Sequence, residues 1–414
     1  MKKKIFVRGP VLSQSGYGEQ SRFALRALKS REDLFDVFIQ PLPWGQTGWI
    51  WEESEFREWM DSRIKLTQVL LQKKQLQPDI SLQISIPNEF QKLAPINIGY
   101  TAGIETDKVA PVWLQKGNEM DKILVVSNHA KSTYANTTVF ARTSPDGEDF
   151  KYSMTKPIDV VWEKTPKAEP QEIPNLNLDY DFNFLMVSQM GARKNFNNAL
   201  SWWVEEFIDQ EVGLVVKTNI RNNSNIDWEY MQKQMSSMLS KYPDRKCKVY
   251  LLHGDLSSGQ MAWLYRNDKI KSLVNIAHGE GFGLPMFEAA REGLPIVTIG
   301  WSGQVDFLTH DGKDYFQPVQ FTLQPIQKEA HWEGVLQKES NWAFADQGSY
   351  KMVLRKTYKN WDDAKKLADE LIPIIEDKFS DETLFAGFVN AINSDEVDID
   401  DWLEELSGDL EEYD

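Results

Sequence analysis

Ala277-His278-Gly279-Glu280-Gly281-Phe282-Gly283-Leu284-Pro285-Met286-Phe287-Glu288-Ala289 is the stretch whose reading decides the fold. An apolar β-type run, Ser272 to Ala277, leads into it, and a second, Ile296 to Trp301, follows. Pro285 near the start and Gly293 just past the end punctuate a short helix between them. Strand, glycine turn, helix and strand in this order imply a parallel sheet. Gly281 and Gly283 let backbone approach a ligand closely, with Phe282 and Leu284 shaping the wall. The helix start offers free N–H groups to an anion. Glu280 lies on the loop and Glu288 one turn inside the helix, so both can face one crevice at the carboxyl end of a strand. Carboxylates accept hydrogen bonds from hydroxyls and the helix start holds a phosphate. A nucleotide sugar offers both.

Glu280-x7-Glu288 with its internal Gly-Phe-Gly-Leu resembles the signature of glycosyltransferase family 4, retaining enzymes of the GT-B fold. Gly-Leu-Pro-Ile-Val at 293–297 and the Ser302-Gly303 turn fit the same pattern. The resemblance implies an α/β chain of two doubly wound, Rossmann-like domains facing a cleft. In that family the first domain receives the acceptor, the second holds the donor, and a C-terminal helix crosses back. It also implies retention of anomeric configuration, with Glu280 orienting the donor sugar and Glu288 holding the ribose. The runs Gly99–Val109 and Gly300–Leu308 are similar to those of bacteriophage-encoded members. For such members a hydroxymethylated pyrimidine in DNA joins a glycan as a plausible acceptor.

The rest of the chain divides accordingly. Strands are expected at Lys3–Val11, Val37–Gln40, Ile80–Ile84, Ile96–Tyr100, Ile123–Val126 and Ile158–Trp162, making a first domain over 1–165. Residues 166–182, rich in Pro, Glu and Asn, read as a linker. A second strand–helix series runs through Phe184–Val187, Leu214–Lys217, Val249–Leu252, Ser272–Ala277 and Ile296–Trp301, giving a second domain over 183–360. Helices over 361–393 would return to the first domain, and 394–414 form an acidic tail. Within that tail Ile399, Trp402, Leu403, Leu406 and Leu410 share one helical face.

Val187-Ser188-Gln189-Met190-Gly191-Ala192-Arg193-Lys194-Asn195 leaves a strand and opens a helix whose Phe196, Leu200, Trp203, Val204 and Phe207 fall on one face. Arg193 and Lys194 stand at its N-terminus, where the dipole favours negative charge. Lys194 takes the place of the family's phosphate-binding lysine. Gln189 stands where the family has arginine, a departure for which Arg193 is the nearby substitute. Lys217, ending the next strand, is a further phosphate candidate. In the first domain, Gly16 and Gly18 lie on a loop that would approach the donor. Glu105 and Asp107 would bind acceptor hydroxyls or cap the following helix. His129 reads as structural. Trp44, Trp49, Trp51 and Trp59 read as packing residues, though such rings also stack on sugars or bases.

Composition bounds the partners. The chain has 414 residues and a formal net charge of −16. Eleven acidic and no basic residues fall in 395–414, and without them the net is −5. Residues 1–165 have a net of +2, so charge neither demands nor excludes a polyanionic acceptor there. The lone Cys247 rules out an internal disulfide framework, and a reducing, cytoplasmic setting is expected. No apolar run reaches membrane-spanning length, so no stable membrane insertion is expected. No His/Cys cluster has zinc-site spacing. Asp179-Tyr180-Asp181 has the spacing of a metal-binding Asp-x-Asp but falls in the linker. The expectation is therefore metal-independent transfer with no cofactor beyond the nucleotide-sugar substrate, a UDP- or GDP-sugar. The alternatives are a GT-B nucleotide-sugar epimerase and a non-catalytic nucleotide-sugar-binding protein.

Overall fold

Alternating apolar strands and helices form two parallel sheets of six strands each. The computed structural model describes residues 2–142 and 148–393. The apolar face expected within 394–414 lies outside the described residues. In the first sheet the spatial order is Phe35–Pro41, Lys3–Gly9, Ile80–Ile84, Ile96–Thr101, Lys122–Val125, Ile158–Val160. In the second it is Lys248–His253, Gly213–Thr218, Asn183–Val187, Ile270–Asn275, Ile296–Ile299, Gln317–Val319. Both are doubly wound, which establishes the expected α/β class with two Rossmann-like units.

The apolar runs set the strands, because burial on both sheet faces favours near-continuous Val, Ile and Leu. Expected ends shift where backbone chemistry intervenes. The first strand stops at Gly9 rather than Val11, since Pro10 has no N–H to give the ladder. The expected Ser272–Ala277 strand is Ile270–Asn275, two residues earlier. The short edge strand Gln317–Val319 was not anticipated; its Pro318 is tolerable only at a sheet edge.

Strand order places the site. In the first sheet the order reverses between Lys3–Gly9 and Ile80–Ile84, and in the second between Asn183–Val187 and Ile270–Asn275. Loops leaving the carboxyl ends of strands at such a reversal splay apart and open a crevice. The loop 10–15 leaves the first reversal. The loops carrying Arg193, Lys194 and Glu280 leave the second.

Several contacts join the two units. Helix Asp381–Asn393 lies on the first-domain helix Gly16–Lys29, with the Phe388 ring 6.0 Å from Phe23 and 5.8 Å from Tyr100. Asp306 of the second unit accepts from the Asn128 backbone N–H at 2.8 Å and from the Trp162 indole at 2.8 Å. Strands Phe321–Pro325 and Asn341–Ala345 form an antiparallel pair whose connecting segment crosses to the first unit. There Val335 is buried among Phe90, Trp113 and Tyr134, and Asn88 donates to the Gly334 carbonyl at 3.0 Å.

Candidate functional site

Lys194 and Glu280 meet because their strands are neighbours in the second sheet. A 3-10 turn, Ala192–Lys194, ends at Asn195 in the left-handed conformation, φ 51°. Asparagine tolerates that conformation better than other residues with a side chain. Its amide also donates to the Ile276 carbonyl at 3.1 Å, tying the turn to the loop that carries Glu280.

Glu280 is 5 % exposed and fully engaged. Lys194 Nζ donates to both carboxylate oxygens, at 2.6 and 2.7 Å. Arg193 Nη1 donates to Oε2 at 3.0 Å, and Asn275 Nδ2 to Oε1 at 3.2 Å. Burial alone would push this carboxyl up, but the Lys194 and Arg193 charges outweigh it and hold it at about 2. The backbone around it is equally constrained. Ser302, itself at φ 73°, accepts the Glu280 N–H on its hydroxyl at 2.8 Å. A non-glycine residue at positive φ costs free energy, which suits a position whose hydroxyl is needed there.

Glu288 faces different chemistry. Its oxygens accept from the Thr165 hydroxyl at 2.8 Å and the Tyr265 hydroxyl at 2.9 Å. With hydroxyls rather than a cation in contact, burial pushes its carboxyl up. Lys217 is the penultimate residue of strand Gly213–Thr218 and has no carboxylate within ion-pair distance among the described residues. Burial pushes its ammonium down, against the fields of Asp255 and Glu288. A half-buried ammonium with no ion-pair partner among the described residues is a candidate contact for an anion.

The first unit closes the other wall. Ser15 caps helix Gly16–Lys29 through the Gly18 N–H at 3.1 Å. A side chain at Gly16 would meet open space, whereas a Cβ at Gly18 would lie 2.0 Å from the Ser13 carbonyl. Gly18 is thus the glycine the turn requires, and Gly16 leaves the helix start uncovered. Glu105 reaches Arg193 Nη1 at 3.3 Å, so one guanidinium bridges carboxylates of both units. Burial and these two carboxylates oppose each other, and the carboxylates win, raising Arg193 above its ordinary value.

Several expected roles change. Gly281 does not open space for a ligand: its Cβ would lie 2.6 Å from the Ala102 carbonyl of the first unit. Gly283, at φ 99°, is the helix N-cap, and that conformation is its reason for being glycine. Phe282 does not shape the cleft wall. Its ring is buried against Phe287, Phe307 and Phe379, at 5.5, 5.0 and 6.3 Å. Leu284 is half-buried against the same core. Asp107 does not offer its carboxylate to an acceptor. Both oxygens are taken by Asn341, from its backbone N–H at 2.7 Å and its amide at 2.8 Å.

Other expectations keep their places. His129 contacts the Thr106 carbonyl at 3.2 Å and stands edge-on to Trp301. Asp179 pairs with Lys248 at 2.8 Å and Asp181 with Lys269 at 3.6 Å, both away from the Glu280 knot. Gln189, in the arginine position, donates to the Ile220 carbonyl instead. Asn275, Thr165 and Tyr265 join Ser302 of the Ser302-Gly303 turn in completing the site. Only Ser302, on a Ser-Gly turn after a strand, left a local signal.

Neither a family model nor a curated protein sequence matches the chain. Solved structures do match its fold. Anabaena Alr3699/HepE, in complex with UDP and glucose, is 10 % identical, with a TM-score of 0.59 over 95 % of this chain and 100 % of its own. Sucrose-phosphate synthase from Thermosynechococcus elongatus is 11 % identical, with a TM-score of 0.63 over 95 % and 99 %. The trehalose-6-phosphate synthase OtsA is 11 % identical, with a TM-score of 0.57 over 95 % and 98 %. The likeness extends over both units, and the chain has the two-domain GT-B fold that these glycosyltransferases share.

Proposed function

We propose that the chain is a retaining, metal-independent glycosyltransferase. It takes a sugar from a UDP- or GDP-sugar and passes it to a hydroxyl of a glycan or of a hydroxymethylated pyrimidine in DNA. The observation that carries the proposal is the pair of cations, Lys194 and Arg193, converging on Glu280 where two strand ends splay. Fold neighbours bound to UDP and a sugar support it. The absence of a membrane-crossing helix among the described residues is compatible with the cytoplasmic setting we propose.

The bond that breaks joins the anomeric carbon to a diphosphate oxygen, and the electron pair leaves with the diphosphate. Lys194, Arg193 and Lys217 stabilise that charge from fixed positions, which is worth more than mobile charge in water. Glu280 then exchanges its cations for hydroxyls of the donor sugar. Glu288, already held by hydroxyls, accepts from the ribose. The acceptor attacks the face the diphosphate leaves, and its proton passes to a departing phosphate oxygen. Glu105, the first unit's carboxylate on Arg193, meets the acceptor.

The test is a panel of UDP- and GDP-sugars, read by release of the nucleoside diphosphate. Each is assayed alone, with oligosaccharides, and with hydroxymethylcytosine DNA, in the presence of EDTA. The expected result is one donor turned over, faster with one acceptor class, and undiminished by EDTA. Loss of turnover in EDTA with recovery on Mg²⁺ or Mn²⁺ contradicts metal independence. No turnover of any donor, despite nucleotide binding, favours a non-catalytic sugar-nucleotide binder.

A further inference from the structure

The segment 42–54 follows strand Phe35–Pro41 and is sewn to the loop that opens the cleft. The Gln14 N–H donates to the Gly48 carbonyl at 2.9 Å, and the Ile50 N–H to the Leu12 carbonyl at 2.8 Å. The Ser13 and Thr47 hydroxyls meet at 2.7 Å, and the Trp44 ring lies 4.4 Å from that of Tyr17. On the other side, the Gln46 carbonyl accepts from Asn222 of the second unit at 3.3 Å. The segment therefore sits on the lip of the cleft, held from both units.

On this anchored backbone two tryptophans face solvent, Trp49 at 60 % and Trp51 at 92 % exposure. Across the lip, the helix beginning three residues after Asn222 exposes Ile226 and Trp228. Indole rings displayed in water from an ordered loop gain nothing for the free protein, and such patches mark contact sites. The charge beside them narrows the partner. Glu52, Glu53, Glu55 and Glu58 are all exposed. Arg57, the one cation among them, is turned inward to Asp61 at 3.0 Å and the Ile50 carbonyl at 3.0 Å. Exposed aromatic rings followed in the chain by exposed carboxylates repel a polyanion. They suit pyranose rings, whose C–H faces stack on indole while their hydroxyls donate to carboxylates.

We infer that Trp49 and Trp51, with Glu52, Glu53 and Glu55, form a landing platform for a neutral oligosaccharide whose end enters the cleft. This rests on the transferase reading of the cleft and favours a glycan acceptor over DNA.

The test is affinity electrophoresis of the full chain in gels containing amylose, hydroxyethylcellulose, mannan or heparin. Trp51→Ala and the double substitution Trp49→Ala with Trp51→Ala are run beside it, with UDP and GDP binding measured for each. The expected result is retardation by at least one neutral polymer and none by heparin. The single substitution should weaken retention roughly fivefold and the double one tenfold or more, with nucleotide binding unchanged. Glu52→Lys with Glu53→Lys should weaken neutral retention and create retardation by heparin. Retention that survives the double substitution, or retardation of the unaltered protein by heparin alone, overturns the platform. So does free migration in every gel by a chain that binds nucleotide. Failure to bind either nucleotide, with neutral-polymer retention intact, strikes the donor reading and leaves the platform standing.

Discussion

Two glutamates eight residues apart, Glu280 and Glu288, sit in opposite electrostatic worlds. Glu280 is gripped by two cations and held at about 2. Glu288 touches two hydroxyls and is pushed up by burial. Sequence spacing makes them look like a matched pair. On the proposed function their environments suit two different tasks. A carboxylate neutralising two half-buried cations would hold the place of an incoming anion. A carboxyl already bonded to hydroxyls would suit a ribose. The difference sets an ion-paired phosphate end against a ribose end where the carboxyl is met by hydroxyls.

The largest effect should come from breaking the charged end. Lys194→Ala should lower turnover roughly a hundredfold, the size typical of losing one preorganised charge-stabilising group. Glu280→Gln should do the same to turnover but the opposite to nucleotide binding. Its loss takes the carboxylate from half-buried Lys194 and leaves Arg193 paired to Glu105 alone, which lowers folding stability. A nucleoside diphosphate restores the missing charge. Melting temperature should therefore fall in the free Glu280→Gln protein and recover with UDP or GDP more than the unaltered protein gains. Single-turnover kinetics and melts with and without nucleotide check both halves.

The hydroxyl-bonded end should respond more gently. Glu288→Ala should raise KM for the donor about tenfold, the order of losing a hydrogen bond to a charged group, and change kcat little. Glu288→Gln should fall between, because an amide oxygen still accepts from a hydroxyl. A kcat loss in Glu288→Ala matching that of Lys194→Ala would erase the distinction between the two ends.

The pH dependence of stability separates the ends a third way. Glu280 is depressed on folding, so its contribution is present above the ordinary glutamate range and lost as pH falls toward 2. Glu288 is raised, so the folded state is penalised as pH climbs past that range. Glu280→Gln should flatten the acid limb of a stability profile between about pH 4.5 and 2. Glu288→Gln should compare most favourably with the parent at neutral and higher pH. Urea midpoints measured across pH show whether the two substitutions bend opposite limbs.

Much of this was legible in the residues because it is local. Pro285 and Gly293 bracket a helix found at Leu284–Arg291, and Gly293 adopts φ 68° at its end. Apolar runs marked most sheet strands within two residues. The Arg193-Lys194 turn was readable from a strand, a polar loop and an amphipathic helix in succession. What stayed hidden depends on residues far apart in the chain. Asp107 looked like a free carboxylate until Asn341, 234 residues away, took both its oxygens. Gly281 looked like a ligand-binding glycine until the first unit's Ala102 filled its space. Phe282 sits in a motif that suggests a wall, yet Phe307 and Phe379 draw its ring into the core. Glycine and phenylalanine announce close approach and burial, but not to what.

The central claim is that Glu280 holds the place of the donor diphosphate. Calorimetric titration of UDP and GDP into the unaltered protein, Glu280→Gln and Lys194→Ala tests it most directly. The account predicts that the nucleotide which binds does so as tightly or more tightly to Glu280→Gln, and at least tenfold more weakly to Lys194→Ala. Equal weakening by both substitutions would mean that Glu280 supports the nucleotide rather than standing in for it.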